Sequence, residues 1–105
     1  MMEKNNLEIV EEPLQKINRE TSKINWNELL PFFAKGMAIY VSHKVDLIRV
    51  ATILSNDDEN QFERWLKEGL VAHVTDDQAS AWYEEKILVW AVVIKPWVLV
   101  QPIVD

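Results

Sequence analysis

The sequence predicts an α+β domain: four to five short helices packed on a small three- to four-stranded sheet. Three observations carry that expectation. Apolar residues recur at spacings of three and four in segments opened by capping residues. Short apolar runs with β-branched residues lie at 37–41, 70–74, 87–94 and 97–101. The chain has 105 residues, 49% hydrophobic and 27% charged, which is one domain's worth of polypeptide. At that length folding buries roughly 65% of the unfolded surface, enough for a core.

The elements follow in order. Met1 to Glu12 is polar and acidic and reads as a flexible tail ahead of a single globular domain at 13–105. Leu14, Ile17, Thr21 and Ile24 recur at three and four and predict a short helix over about 13–22. Asn25, with Glu28 three residues on, forms a capping-box pattern for the next helix. Pro31 inside it removes a backbone donor and predicts a kink or two short turns. Gly36 stands where a left-handed residue ends a helix. After the strand at 37–41, Asp46 caps a segment in which Leu47, Val50, Ala51 and Leu54 share one face. Helix is preferred there, although Ile48 and Thr52 keep a strand open. Asn56 with Glu59 opens a helix whose stripe is Phe62, Trp65 and Leu66, and Gly69 ends it. Thr75 with Gln78 opens another, with Ala79, Trp82 and Tyr83 as its stripe.

The terminal run differs in kind. Ile87 to Ile94 is eight consecutive apolar residues, and such a strand is expected to be central, with both faces covered. Lys95-Pro96 interrupts it as either a hairpin turn or a bend, since proline cannot donate to a ladder.

Composition excludes several kinds of function. No Cys is present, so disulfides, thiolate nucleophiles and thiolate metal sites are ruled out. Met1 to Glu12 lacks a long apolar stretch and has the wrong charge for a secretory or mitochondrial signal. Ile87 to Val104 contains Lys95, Pro96, Gln101 and Pro102 and is no spanning helix. The formal charge is −6. The six basic residues of 13–54 (Lys16, Arg19, Lys23, Lys35, Lys44 and Arg49) are scattered, so nucleic acid is not an expected partner. Two glycines cannot build a phosphate-cradling loop or a nucleophile elbow for Ser22, Ser42, Ser55 or Ser80.

Asp57-Asp58 and Asp76-Asp77 each follow an expected N-cap. Negative charge in a first turn is stabilised by the helix dipole, by about 0.3–1 kcal/mol, and this explains both pairs better than acid–base chemistry. His43 with Asp46, and His73 with Asp76 or Asp77, have spacing for two metal ligands each, which is weak because zinc needs three or four ligands and a second shell. Of the five Trp, Trp26, Trp65 and Trp82 lie on core stripes; Trp90 and Trp97 lie in the terminal strands. The core is favoured for Trp90, while Trp97 divides evenly between core and surface. Trp is enriched at interaction hot spots as well as in cores.

Trp90-Ala91-Val92-Val93 and Pro96-Trp97-Val98-Leu99-Val100-Gln101 resemble the end of a small bacterial family, domain of unknown function 2288. Earlier segments are similar too: Thr21, Ile24 and Trp26 leading to Phe32-Phe33-Ala34 and Gly36; Asp46-Leu47; Asp57-Asp58; and Trp65-Leu66 before Gly69. The match covers about 21–101. Members often carry a small residue where Lys95 stands and Asp-Pro near Ser42-His43. The resemblance brings no catalytic residues; it implies a bacterial cytoplasmic protein with a characteristic terminal strand.

The expected function is therefore a non-enzymatic protein-binding or self-assembling module. Its interaction residues are Trp90, Lys95, Pro96, Trp97, Leu99 and Gln101. The expected partner is another protein or a second copy, with no cofactor, nucleic acid or membrane. The alternative is a small metal-dependent enzyme or ligand-binding protein using His43, Asp46 and nearby carboxylates.

Overall fold

The computed structural model describes residues 21–103. Its architecture is α+β, with five strands in one mixed sheet. The strands are β1 (Ser22–Asn25), β2 (Ala38–Val41), β3 (Val71–His73), β4 (Leu88–Ile94) and β5 (Trp97–Pro102). The helices are α1 (Leu30–Ala34), α2 (Leu47–Ser55), α3 (Glu59–Glu68) and α4 (Asp76–Glu85), with a 3₁₀ turn at Trp26–Leu29 leading into α1. The sheet order is β1-β4-β5-β2-β3. Only β2 and β5 run parallel; the other pairs are antiparallel.

The sheet thus has one strand more than expected. The extra strand is β1, which overlaps the helix expected over about 13–22 only at Ser22 and runs through Ile24, the last residue of that spacing, to Asn25, the expected cap of the next helix. Thr21 and Ile24 fit a three-residue spacing, but Ser22–Asn25 pairs with Leu88–Ala91. A four-residue segment carries too little local pattern to outweigh a ladder partner. The rest of that expected helix, and the flexible tail expected at Met1–Glu12, lie outside the described residues.

Local chemistry explains the other boundaries. Asn25 caps the 3₁₀ turn by accepting from Asn27 N. Pro31 sits in the first turn of α1, where its missing N–H costs nothing, so the chain makes two short turns. Gly36 takes a left-handed φ of 74° and releases the chain into β2. Asp46 accepts from Ile48 N, and α2 is a helix. Thr75 and Gln78 complete a reciprocal capping box for α4, with Asp76 and Asp77 in its first turn. The cap of α3 is corrected: Asp58, not Asn56, accepts from Gln61 N. Asn56 instead closes α2, and Asp57 turns the chain at φ 58°. The Asp57-Asp58 pair therefore forms the joint between two helices, not a first turn. Lys95-Pro96 is a cis peptide in a hairpin turn joining β4 to β5.

Side chains alternate across the sheet and feed two cores. On one face α2 and α3 bring Leu47, Val50, Ala51 and Trp65 onto Ile39, Val41, Val92 and Leu99. On the other, the 3₁₀ turn, α1 and α4 bring Trp26, Leu29 and Ala79 onto Val89, Ala91, Val98 and Val100. Trp26 is fully buried, and its indole N–H donates to the Ala79 carbonyl at 3.1 Å. It meets Trp82 and Phe33 edge-on at 5.1 and 6.0 Å. Its own backbone N–H donates to Ile87 O, so one residue ties the turn to α4 and to the start of β4.

β4 is not covered throughout as an unbroken apolar run implies. Val89, Ala91 and Val92 are buried, but Leu88 is 48% exposed and Trp90 38%. Both point to the α2 face, at the end beyond the reach of that helix.

Two outcomes follow. Trp26→Ala removes the anchor of the second core and is expected to cost about 3–5 kcal/mol in urea unfolding. Thr75→Ala removes only the α4 cap and is expected to cost about 1 kcal/mol.

Candidate functional site

Gln101 on β5 lies opposite Trp90 on β4, so both side chains leave the same face. The Gln101 side-chain amide donates to the carbonyls of Ser42 at 3.0 Å and Val45 at 2.9 Å. Those bonds fasten the loop after β2 to the middle of the sheet. Ser42 is buried, and its hydroxyl accepts from Lys44 N, which tightens the same loop. Asp46, at the loop's end, spends a carboxylate oxygen on capping α2.

Between this loop and Trp90 runs an open groove of about 350 Å³. Thr21, His43, Lys44, Asp46, Ile48, Trp90 and Gln101 are among the residues that line it. Lys23, opposite Trp90 on β1, sets its ammonium 5.4 Å from the centre of the indole ring. That is within the range of a cation–π contact, and at an exposed site it is worth roughly 0.5–1 kcal/mol. The groove therefore has an aromatic wall at Trp90, with Lys44 and Asp46 among its lining residues and Lys23 beside the indole.

The residues singled out from the sequence separate into three places. Trp90 and Gln101 meet in the groove, together with His43 and Asp46. Lys95 and Pro96 are exposed at the hairpin turn at the other end of β4. Pro96 there lines a second hollow with Pro31, Phe32, Lys35 and Met37. Trp97 is half-buried, packs on the first core, and meets His73 edge-on at 6.1 Å. Leu99 is fully enclosed in that core, which corrects the expectation that it is an interaction residue: it packs the interior. The preference for Trp90 as core is corrected too: the indole stands where no described helix covers β4.

His43 and His73 do not converge. His73 pairs with Ile39 at one end of β2, while His43 follows the other end. Four residues of extended chain separate them, about 13 Å. Among the described residues no group of three His, Asp or Glu side chains is placed to hold a metal ion. No described helix is long and apolar enough to cross a membrane. Sequence reasoning missed Thr21 as a groove residue and Lys23 as the cation beside Trp90. Their only signal was the strand pairing of β1, which brings them beside Trp90.

No curated protein matches the chain. The solution NMR structure of PA1075 from Pseudomonas aeruginosa is similar, with a TM-score of 0.79 and 37% identity over 91% of this chain and 90% of that one. The family described as "Protein of unknown function (DUF2288)" matches residues 13–102. With that share of its length matched, the chain belongs to this family.

Proposed function

We propose that this chain is a protein-binding module without catalysis of its own, and that it associates with a second copy through the Leu88–Trp90 face. The observation that carries the reading is the pair of large apolar side chains exposed at alternate positions of one strand. Leu66 and Tyr83 are also exposed, but on two different helices, and scattered apolar residues are ordinary. Leu88 and Trp90 are instead contiguous with a groove and with the edge strand β1, rimmed by Lys23 and Gln101. An aromatic centre with a polar rim is the composition of interaction surfaces. A twofold contact would bury the same patch on both copies.

The groove also carries His43 and Asp46 beside Trp90, which supports a second reading, capture of a small ligand. Metal analysis of the purified protein decides its metal form: stoichiometric metal supports it, and none removes it.

For the first reading, light scattering at tens of micromolar is expected to give twice the chain mass. Trp90→Ala removes an exposed indole, so the fold is retained by circular dichroism. An interface anchor is worth about 2 kcal/mol or more, so dimerisation weakens at least about 30-fold. A strict monomer for the unaltered chain overturns the reading.

A further inference from the structure

We propose that the hollow between α1 and the turn joining β4 to β5 binds a small carboxylic acid with an apolar tail. The site lies at the opposite end of β4 from the Leu88–Trp90 face and rests on neither reading above. Trp90 and Ile94 alone stand four residues apart, about 13 Å at strand rise.

The sheet builds this hollow. β2 runs parallel to β5 with Ala38 level with Val98, which sets Met37 beside the start of β5. The Met37 carbonyl accepts from the Val98 N–H at 2.9 Å, and the Met37 N–H donates to the Phe32 carbonyl at 2.9 Å. One residue is thus bonded to α1 on one side and to β5 on the other. Pro31 and Phe32 of α1, with Lys35 and Met37 after it, meet Pro96 of the turn around a space of about 310 Å³. Lys95-Pro96, expected from the sequence to be an interaction pair, has no part in the Leu88–Trp90 face.

The lining chemistry names the occupant. Pro31, Phe32, Met37 and Pro96 are apolar, and such a lining takes up an alkyl group by removing its surface from water. The two prolines lose no rotamer freedom in closing on a ligand. Lys35 is exposed, and it is the charged residue among the described residues that line the space. Lys95, also exposed, directly precedes Pro96.

Carbonyls at the end of a helix draw cations. Here they are already engaged: Phe32 O accepts from the N–H groups of Lys35 and Met37, and Phe33 O accepts from that of Gly36. The charge left at the rim is positive, in a chain whose formal charge is −6. An anionic head on an apolar tail matches both parts of the site. Ligand pockets run from about 300 to 1,000 Å³, so this one stands at the lower limit. That suits an acid of a few carbons and is too small for a stretch of peptide.

The test is a titration of the full chain with butanoate, hexanoate, hexanol and hexylamine, followed by the Met37 methyl signal in NMR. Hexanoate is expected to shift that signal and to bind about 15-fold more tightly than butanoate, since each buried methylene contributes about four-fold. Hexanol and hexylamine are expected to bind about ten-fold more weakly than hexanoate, because they lack the charged hydrogen bond to Lys35. Lys35→Glu, at an exposed position, is expected to keep the fold by circular dichroism and to abolish the preference for hexanoate over hexanol. The ligand series is read on the unaltered chain and decides the matter whether or not that variant folds. No shift of Met37 with tens of millimolar hexanoate overturns the proposal. So does equal binding of hexanol and hexanoate, or of hexanoate and butanoate. Shifts centred on Trp90 with Met37 unmoved overturn it in favour of the groove.

Discussion

Burial of the paired strands β4 and β5 on both faces is the constraint from which the rest of the structure follows. Val98, Leu99 and Val100 are successive residues with no exposed surface, so alternate side chains must find a lid on each side. A domain of this size divides its few helices between two faces to supply one. Helices α2 and α3 cover one face, and the 3₁₀ turn with α1 and α4 covers the other. The division leaves a shortfall. α2 reaches Val92 and Leu99, and among the described residues no helix covers Leu88 and Trp90 at the start of β4. Apolar surface left facing water costs roughly 25 cal/mol per Å², so such a face gains by meeting another surface.

Much of this fold was legible in the sequence because it depends on local chemistry. The Thr75–Gln78 box, the Asp46 cap, Pro31 in a first turn, and the glycines 36 and 69 each satisfy backbone groups within a few residues. The strands 37–41, 70–74, 87–94 and 97–101 were legible as apolar runs. What escaped is nonlocal or finely balanced. β1 is a strand because β4 offers it hydrogen bonds, and nothing within Ser22–Asn25 announces that. Asn56 and Asp58 are both good caps; the left-handed turn at Asp57 decided between them. Trp90 reads as core in an unbroken apolar run, and only the reach of α2 exposes it.

The candidate site was legible as residues but not as a place. His43 and Asp46 belonged to one expectation, and Trp90 and Gln101 to another. The parallel pairing of β2 with β5 brings them together, and two hydrogen bonds from Gln101 hold the loop there. Leu99 shows the converse: it shares a motif with Trp97 and Gln101, yet alternation sends it into the core. Membership of a family described as of unknown function leaves the role to be argued from this surface.

The central claim is that the Leu88–Trp90 face is in contact with another surface in solution. Relaxation of side-chain NMR signals by a soluble paramagnetic probe tests it most directly, with Leu66 on α3 and Tyr83 on α4 as exposed references. The account predicts that the Leu88 methyl and Trp90 ring signals are protected relative to both references in the unaltered chain. Leu88 and Trp90 responding to the probe as strongly as Leu66 and Tyr83 at every protein concentration would contradict it.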